Sequence, residues 1–515
     1  MEKLTNGAKM LNAVVDLTPN SGVSYFLKYA VLGAAKDKGI SLEFRQSPVA
    51  GTRGSFQRLI KFNSFFDFVL NVLDLFRMFI FSLKIAPLFA LNRKRLIFSL
   101  LSLTKEEIVI GDCILSAYQR NNKTRVTLGR NIELFLFVVA SYFSIIVNIR
   151  RLAVEIKKDG GAKYFFCHET TGIEETLRRY CIVRGMIEIR YSKHHKGFRL
   201  FSGFDGVALR KQEKFNLQAG QAIEEAEIQV AKEKLSSLVD RTVQYAYLKS
   251  VDVDLNVTLS CSPKAPKTTV VIFLATLSDA QYLYGVGPYP SLDTFQESLL
   301  EFFLAKDMNV VVKPHPAMMK NKDYAEKDRS YYRSLLRKWD AQDDDEYVKR
   351  SSLNNKLIFV SEKLSVKELS KKFPSFLCVT QHGSVAAECA HLGHLSLVGK
   401  NSQFSEQDKF VEILEDADEL QEKLDRWLAF TAFTKSEIHS IYRYIYIHNF
   451  FNVDLYGNII FSDLIPKDLE TSEIENWLKE FLDNNPDAEY KLNQSAKLNI
   501  SKLNNNFEEV IAYEK

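Results

Sequence analysis

The hydrophobic pattern of the first half of the chain alternates short apolar runs with polar or helical segments. The first run, Met10 to Asp16, is followed by a loop-forming segment at residues 17–22 and a helical pattern from Val23 to Lys36. Three further runs have the composition of buried parallel strands, at residues 107–110, 164–167 and 186–191. This order predicts an α/β domain over residues 1–255.

The pattern restarts after residues 261–267, a segment of prolines and lysines that we interpret as a linker following a charged helix at residues 217–247. Five apolar runs predict strands, at residues 268–274, 309–313, 357–360, 376–380 and 395–398. Helical patterns lie at residues 295–306 and 384–392. We predict a second doubly wound domain over residues 268–435, then a helical extension over residues 436–515 with a partly disordered polar tail.

Residues 65–103 are apolar and aromatic but also contain Arg77, Lys84 and the basic cluster at residues 93–95. This combination is typical of a helix that lies in a membrane interface, and it equally fits an internal helical layer with a solvated basic loop. Neither this segment nor residues 134–149 has the uninterrupted apolar run of about 18–20 residues that spans a bilayer. We interpret residues 134–149 as a buried helix.

Charge is distributed unevenly along the chain. The net charge is +4, but up to residue 250 there are 38 Lys and Arg against 23 Asp and Glu, a balance of +15, which leaves −11 for the remainder. The basic half predicts an anionic partner. Without a zinc-finger, RNA-recognition or arginine-rich signature, nucleic acid fits less well than an anionic membrane surface or a lipid-linked glycan.

The remaining composition indicates a soluble or peripheral globular protein of 515 residues, 46% hydrophobic and 26% charged. Six cysteines lie without metal-binding spacing, which predicts reduced thiols in a cytoplasm. The first residues lack the basic and apolar regions of a secretory signal.

Polar residues directly after the predicted strands are the candidate functional groups, because doubly wound sheets bind ligands beyond the carboxyl ends of their strands. The candidates are Ser21, Asp112, His168 and Glu169 in the first domain and Asp279, His315 and Ser384 in the second. An aspartate in such a turn is also a common helix cap. That alternative stays open for Asp112, Asp279 and the pair at residues 174–175.

One predicted strand ends at Lys313, and the prolines on both sides of His315 stiffen the backbone that presents this histidine. We expect a phosphate or pyrimidine role for His315, beside Pro316. Lys313 is either a second ligand or a solvated edge residue.

A second strand leads into Gly383 and then a helix that begins at Ser384, where the serine caps the helix and the free N–H groups suit a phosphate. Glu388 lies about 6 Å further along the axis, on the same face, where its carboxylate suits ribose hydroxyls. We expect His315 and Glu388 to follow adjacent strands and to hold one nucleotide. The alternatives are a simple cap and an exposed charge, and the nearby His382, His391 and His394 fit core or helix-end positions better than a metal site.

These segments resemble the donor-binding half of GT-B glycosyltransferases that build bacterial surface polysaccharides, especially CMP-Kdo transferases. The matching stretches, in the expected order, are residues 110–112 with 118–120, 167–169, 276–280, 313–316 and 383–388. Gln381-His382 departs from the commoner residues before the glycine, and the first and last hundred residues match little.

The resemblance implies two Rossmann-type domains facing a cleft and no requirement for a metal or cofactor. It implies transfer of a sugar, first choice Kdo or a related ulosonic acid from a CMP donor, to a lipid-linked or growing capsule or lipopolysaccharide glycan. Asp279 is then the nucleophile or electrostatic stabiliser, Glu169 or Asp112 assists proton transfer, and His168 and Ser21 lie on the acceptor side.

The same resemblance places the protein in a bacterial cytoplasm, peripheral at the inner face of the membrane. A UDP- or GDP-sugar stays possible as the donor. The alternatives in function are a glycerophosphotransferase that uses CDP-glycerol and a non-catalytic scaffold of a polysaccharide assembly complex.

Overall fold

A computed structural model of the chain describes residues 12–17, 42–46, 65–121, 131–157, 162, 164–168, 174–192, 197–201, 225–240, 269–277, 289, 291–319, 326–343, 348–351, 356–381, 383–399, 402, 404 and 409–449. The helices of these residues are α1 (Phe65–Ile85), α2 (Arg93–Leu101), α3 (Gly111–Asn121), α4 (Asn131–Lys157), α5 (Glu174–Val183), α6 (Glu225–Val239), α7 (Leu292–Ala305), α8 (Glu326–Lys338), α9 (Val366–Lys372), α10 (Val385–His391), α11 (Leu420–Ala429) and α12 (Lys435–Asn449). The strands are β1 (Asn12–Asp16), β2 (Leu42–Gln46), β3 (Thr104–Lys105), β4 (Ile108–Val109), β5 (Tyr164–His168), β6 (Ile187–Ser192), β7 (Gly197–Phe201), β8 (Thr269–Phe273), β9 (Asn309–Lys313), β10 (Ala341–Asp343), β11 (Val348–Ser351), β12 (Leu357–Val360), β13 (Phe376–Thr380), β14 (Ser396–Gly399) and β15 (Val411–Leu414).

The first sheet has the strand order β2-β1-β5-β6-β7, parallel throughout except for the antiparallel pair β6 and β7. Three of its strands, β1, β5 and β6, coincide with predicted apolar runs, and their parallel pairing confirms an α/β fold for this half. The sequence prediction does not include β2 and β7. The predicted helix at residues 23–36 lies outside the described residues.

The prediction of a parallel strand at residues 107–110 is wrong. Residues 108–109 form β4, which pairs antiparallel with β3 in a two-stranded ribbon outside the main sheet. The cause is local, because Glu106 and Glu107 have positive φ values of 50° and 70° and close a two-residue hairpin. The helix α3 follows at Gly111, where a Cβ would lie 1.7 Å from the carbonyl oxygen of Leu100.

The second sheet has eight strands in the order β10-β11-β12-β9-β8-β13-β14-β15. The six strands from β12 to β15 in this order are parallel, and β10 and β11 add an antiparallel hairpin at one edge. If these six parallel strands are numbered 1 to 6 along the chain, their order across the sheet is 3-2-1-4-5-6, which is a doubly wound arrangement. The bounds of β9, β12 and β13 are those predicted, because each has an apolar centre that lies inside a covered sheet.

Both faces of this sheet are covered by helices. Val270 and Ile272 of β8 belong to the core that α7, α8 and α11 complete, whereas the alternate residues Val271 and Phe273 pack toward α9. A further cluster joins α6, α10 and α12. Although α6 lies in the range predicted for the first domain, it packs with helices of the second sheet; the predicted domain boundaries themselves stay predictions.

The two long helices α1 and α4 pack side by side in the first half of the chain. Phe81 of α1 stacks on Tyr142 of α4 with 3.7 Å between ring centroids, and Arg150 of α4 pairs with Asp74 of α1. Among the described helices, α4 is long and apolar enough to cross a membrane by length and composition alone. Half of its apolar window is buried within the protein, as in the core helix of a soluble protein, so this criterion is weak evidence for a span.

Candidate functional site

The carboxyl ends of β9, β8 and β13 lie side by side at one edge of the second sheet. The strand order reverses between β8 and β13, since β9 and β12 lie on one side of β8 and β13 to β15 on the other. Ligands of doubly wound sheets bind in the crevice that opens at such a reversal. The segments that follow these three strands therefore form the candidate site.

The expectation that His315 and Glu388 follow adjacent strands is wrong, because β8 lies between β9 and β13. With about 4.8 Å between neighbouring strands, the ends of β9 and β13 are about 10 Å apart. The segment after β8 lies between them, so a ligand that reaches both outer segments also contacts the central one.

His315 is half-buried just beyond β9, and the local backbone fixes its ring. Its Nδ1 accepts a hydrogen bond from the N–H of Ala317 at 3.1 Å, and its carbonyl oxygen accepts from the N–H of Met318 at 2.9 Å. Both donors belong to the short 3-10 helix that begins at Pro316. A ring nitrogen that accepts carries no proton, so this contact places the proton of the neutral imidazole on Nε2.

Lys313, the last residue of β9, is buried rather than solvated. Its Nζ donates to the carbonyl oxygen of Glu362 at 3.1 Å, which joins the ends of the neighbouring strands β9 and β12. This contact supports a structural role, and the donor-binding role stays a prediction.

The turn after β13 requires a glycine. The N–H of Gly383 donates to Oγ1 of Thr380 at 3.2 Å, and a Cβ on Gly383 would lie 2.7 Å from that oxygen and 3.0 Å from Cγ1 of Val385. The predicted cap by Ser384 is wrong, because its backbone is already helical and its side chain makes no capping hydrogen bond. The helix α10 has seven residues, so its terminus alone gives little support for a phosphate site.

Ser384 and Glu388 are nevertheless one turn apart on the half-buried face of α10. The opposite face, with Ala386, Ala387 and Ala390, is buried against α6 and α12. The small side chains let these helices approach closely and fix the orientation of α10. The spacing that the sequence predicts for a phosphate and a ribose contact is therefore present, and the two roles stay predictions.

A buried carboxylate outside the predicted set holds the segment after β8. Oδ1 of Asp328, in the first turn of α8, accepts a hydrogen bond from the N–H of Leu277 at 2.6 Å. The preceding residue, Lys327, is also buried and donates to the carbonyl oxygen of Gln119 in α3 at 3.3 Å. Sequence reasoning missed both residues because α8 has an ordinary charged-helix pattern and the partners are 51 and 208 residues away.

Asp279, Glu169, Ser21 and His382 lie outside the described residues. His168 is the last residue of β5, and its side chain lies outside the description. The predicted roles of these residues stay predictions.

Asp112 lies in a buried ion-pair cluster at the start of α3. It receives two hydrogen bonds from Arg179 of α5, with Nη1–Oδ1 at 2.9 Å and Nη2–Oδ2 at 2.7 Å, and one from the N–H of Cys113 at 2.9 Å. Glu175 adds contacts to Arg179 at 3.4 Å and to Arg178 at 2.9 Å. Burial, reinforced by the charge of Asp112, raises the pKa of the Cys113 thiol well above its usual value. This geometry favours a structural role for Asp112 over proton transfer.

Two of the histidines near the turn have core partners. His394 is buried and stacks on Phe376. Its Nε2 forms a hydrogen bond with Oγ of Ser370 at 2.7 Å. Burial lowers its pKa to about 4. His391 contacts the hydroxyl of Tyr442 at 3.2 Å in the α10 and α12 interface. Among the described residues, no group of three or more His, Cys, Asp or Glu side chains has the arrangement of a metal site.

Comparison of the chain with protein-family models and with curated proteins finds no match. Among solved structures, the chain is similar to the UDP-GlcNAc 2-epimerase of Methanocaldococcus jannaschii in complex with UDP-GlcNAc and UDP. The TM-score is 0.26 and the identity 11%, over 84% of this chain and 97% of that one. A TM-score this low does not establish a common fold, so nothing about the ligands of this chain follows from it.

Proposed function

We propose that this chain is a nucleotide-sugar-dependent glycosyltransferase whose second sheet binds the nucleotide of the donor. The observation that supports this most strongly is the strand order of that sheet. Its reversal between β8 and β13 brings three strand-end segments to one crevice, and this is where doubly wound sheets bind nucleotides.

In this proposal His315 and Glu388 bind opposite parts of the nucleotide. The Nε2–H of His315 donates to a phosphate or pyrimidine oxygen, and its ring orientation is already set by the N–H of Ala317. The Glu388 carboxylate accepts hydrogen bonds from the ribose hydroxyls. Gly383 lets the turn between them close on Oγ1 of Thr380, where a Cβ would lie at 2.7 Å, and this turn sets the position of α10.

The donor that we propose first is CMP-Kdo or another CMP-linked ulosonic acid, and the acceptor is a lipid-linked or growing surface polysaccharide. The support is the resemblance of the segments at residues 313–316 and 383–388 to that group of enzymes. Asp279 follows the central strand in the sequence, and a carboxylate there suits stabilisation or capture of an oxocarbenium-like centre.

The first test is nucleotide binding, measured by the thermal stability of the protein with CMP, CDP, UDP and GDP. A ligand at 100 times its Kd adds about 2.7 kcal/mol to the free energy of unfolding, so CMP is expected to raise the Tm most. His315→Ala or Glu388→Gln removes a hydrogen bond to a charged group, worth about 1.5–3 kcal/mol, and is expected to weaken CMP binding roughly 10- to 150-fold.

His439→Ala is the matched control, because this histidine is exposed on α12, and α12 packs on the buried face of α10 rather than on the face of Ser384 and Glu388. Its CMP affinity is expected to equal that of the parent. If His315→Ala and Glu388→Gln also bind CMP like the parent, the nucleotide does not lie in the candidate site. Release of CMP from CDP-glycerol with transfer of glycerol phosphate to an acceptor hydroxyl, without sugar transfer from any nucleotide donor, identifies a glycerophosphotransferase instead.

A further inference from the structure

The helix α1 has the polarity of a membrane-facing helix, with polar residues inside and apolar residues outside. Asn71 and Asp74 are only 4% and 1% exposed, whereas Phe76, Phe79 and Leu83 are 62%, 56% and 59% exposed. A helix on the surface of a soluble domain has the reverse arrangement, with its apolar stripe toward the core.

Buried charge fixes this orientation. Nε of Arg150 in α4 lies 2.8 Å from Oδ2 of Asp74, and its Nη2 donates to Oδ1 of Asn71 at 2.6 Å. Arg77 adds a contact to Oδ1 of Asp74 at 3.1 Å. Rotation of α1 to bury its apolar side would break this network and leave charged groups uncompensated, so the outward face is a stable feature of the fold.

The outward face is long and continuous. It consists of Val72, Leu73, Phe76, Phe79, Ile80 and Leu83, all exposed, and we call it the α1 face. From Val72 to Leu83 it extends about 17 Å along the helix axis, at 1.5 Å per residue. Exposed apolar surface in one continuous stripe marks an interaction site rather than ordinary surface.

Basic residues lie at one end of the α1 face. Lys84 is exposed in its last turn, and Lys94 and Arg95 are exposed on α2, next to the partly exposed Phe98. Apolar side chains flanked by lysine and arginine suit the boundary between acyl chains and anionic headgroups.

We propose that the α1 face inserts into the interfacial layer of an anionic lipid bilayer, with α1 lying in the membrane plane and α4 supporting it from the protein side. This resolves the two sequence interpretations of residues 65–103: one side of the segment is internal, and the other is a membrane contact. The proposal goes beyond the proposed transferase activity and does not depend on it.

The test is cosedimentation of the full chain with vesicles of phosphatidylcholine, with and without phosphatidylglycerol. The parent protein is expected to bind the vesicles that contain phosphatidylglycerol, and to bind them less at high salt. Phe76→Ser with Phe79→Ser removes two exposed aromatic side chains and is expected to lower the partition coefficient by roughly tenfold or more, with an unchanged Tm. Lys84→Glu with Lys94→Glu is expected to remove the preference for phosphatidylglycerol.

Leu428→Ser with Ile438→Ser is the matched control, since these side chains are also exposed but lie on α11 and α12. This variant is expected to bind like the parent. Equal binding of the parent to both vesicle types, or parent-like binding by the Phe76 and Phe79 variant, would overturn the proposal. A parent dimer in sedimentation velocity that the same variant dissociates, without vesicle binding, would assign the face to a second copy and overturn it as well. These assays require no nucleotide. A negative result therefore counts against the membrane proposal alone and leaves the proposed function untouched.

Discussion

Replacement of Asp112 by asparagine distinguishes a structural carboxylate from a catalytic one. The side chains of Asp112 and Arg179 are 8% and 3% exposed, and their two hydrogen bonds are 2.9 and 2.7 Å long. The amide would keep the shape of the carboxylate but remove its negative charge and turn an N–H donor toward the guanidinium. Loss of one partner from a buried ion pair costs about 3–5 kcal/mol, so Asp112→Asn is expected to lower the free energy of unfolding by that amount.

The assay is urea unfolding at neutral pH, followed by circular dichroism and by the fluorescence of a probe in the first half of the chain. The matched control is Glu106→Gln, because Glu106 pairs with Arg184 at 3.3 Å in an exposed part of the same region. That pair is expected to contribute less than about 1 kcal/mol. Added salt should reduce the effect of Glu106→Gln and leave that of Asp112→Asn almost unchanged.

A double variant sharpens the test. Asp112→Leu with Arg179→Met removes both charges and leaves Glu175 paired with Arg178 at 2.9 Å. It is expected to recover most of the stability lost in Asp112→Asn, since apolar replacement of a whole buried pair is often neutral. The structural reasoning is refuted if the free energy of unfolding of Asp112→Asn lies within about 1 kcal/mol of the parent value while sugar transfer is lost. Asp112 then regains its predicted role in proton transfer.

Three further outcomes are expected. Gly383→Ala forces a Cβ against Oγ1 of Thr380 and should cost about 1–3 kcal/mol and weaken nucleotide binding; unchanged Tm and nucleotide Kd would contradict this. The pKa of His394 falls from 6.5 to about 4 on folding, so its stabilising contribution is present above pH 6.5 and is lost as pH falls toward 4, by up to about 3 kcal/mol. Urea unfolding across this pH range checks it, because His394→Gln should have a shallower slope and an equal slope would refute it. Asp279→Asn should reduce transfer by orders of magnitude with little change in donor Kd, and near-parental turnover would shift the catalytic role to Glu169.

The central strands of the second sheet could be predicted because strands that are buried on both faces need apolar residues. Residues 310–312 and 376–379 are continuous apolar runs inside β9 and β13, and a covered parallel sheet requires such runs. The antiparallel hairpin of β10 and β11 contains mixed polar residues, and its strands have no comparable signal. The ribbon of β3 and β4 was misread because two consecutive left-handed residues, Glu106 and Glu107, have no strong sequence signature when neither is glycine or asparagine.

The inverted polarity of α1 was present in the sequence but required the fold to interpret. Asn71 and Asp74 are three residues apart, so they lie on one face of an otherwise apolar helix. Without knowledge of Arg150, 76 residues from Asp74, a polar stripe on an apolar helix is read as its solvent side. The pairing reverses that assignment and turns the apolar side outward.

The same dependence on distant partners limits what the sequence says about the candidate site. Asp112, Lys313 and His315 all follow apolar runs and are equivalent candidates by position. Asp112 and Lys313 are buried and join separate parts of the protein, whereas His315 is half-buried and its ring accepts a hydrogen bond from the neighbouring backbone. A ligand must reach the group that binds it, so burial favours His315 over the other two. Since the burial of Asp112 is completed by Arg179, 67 residues away, no local motif distinguishes these cases.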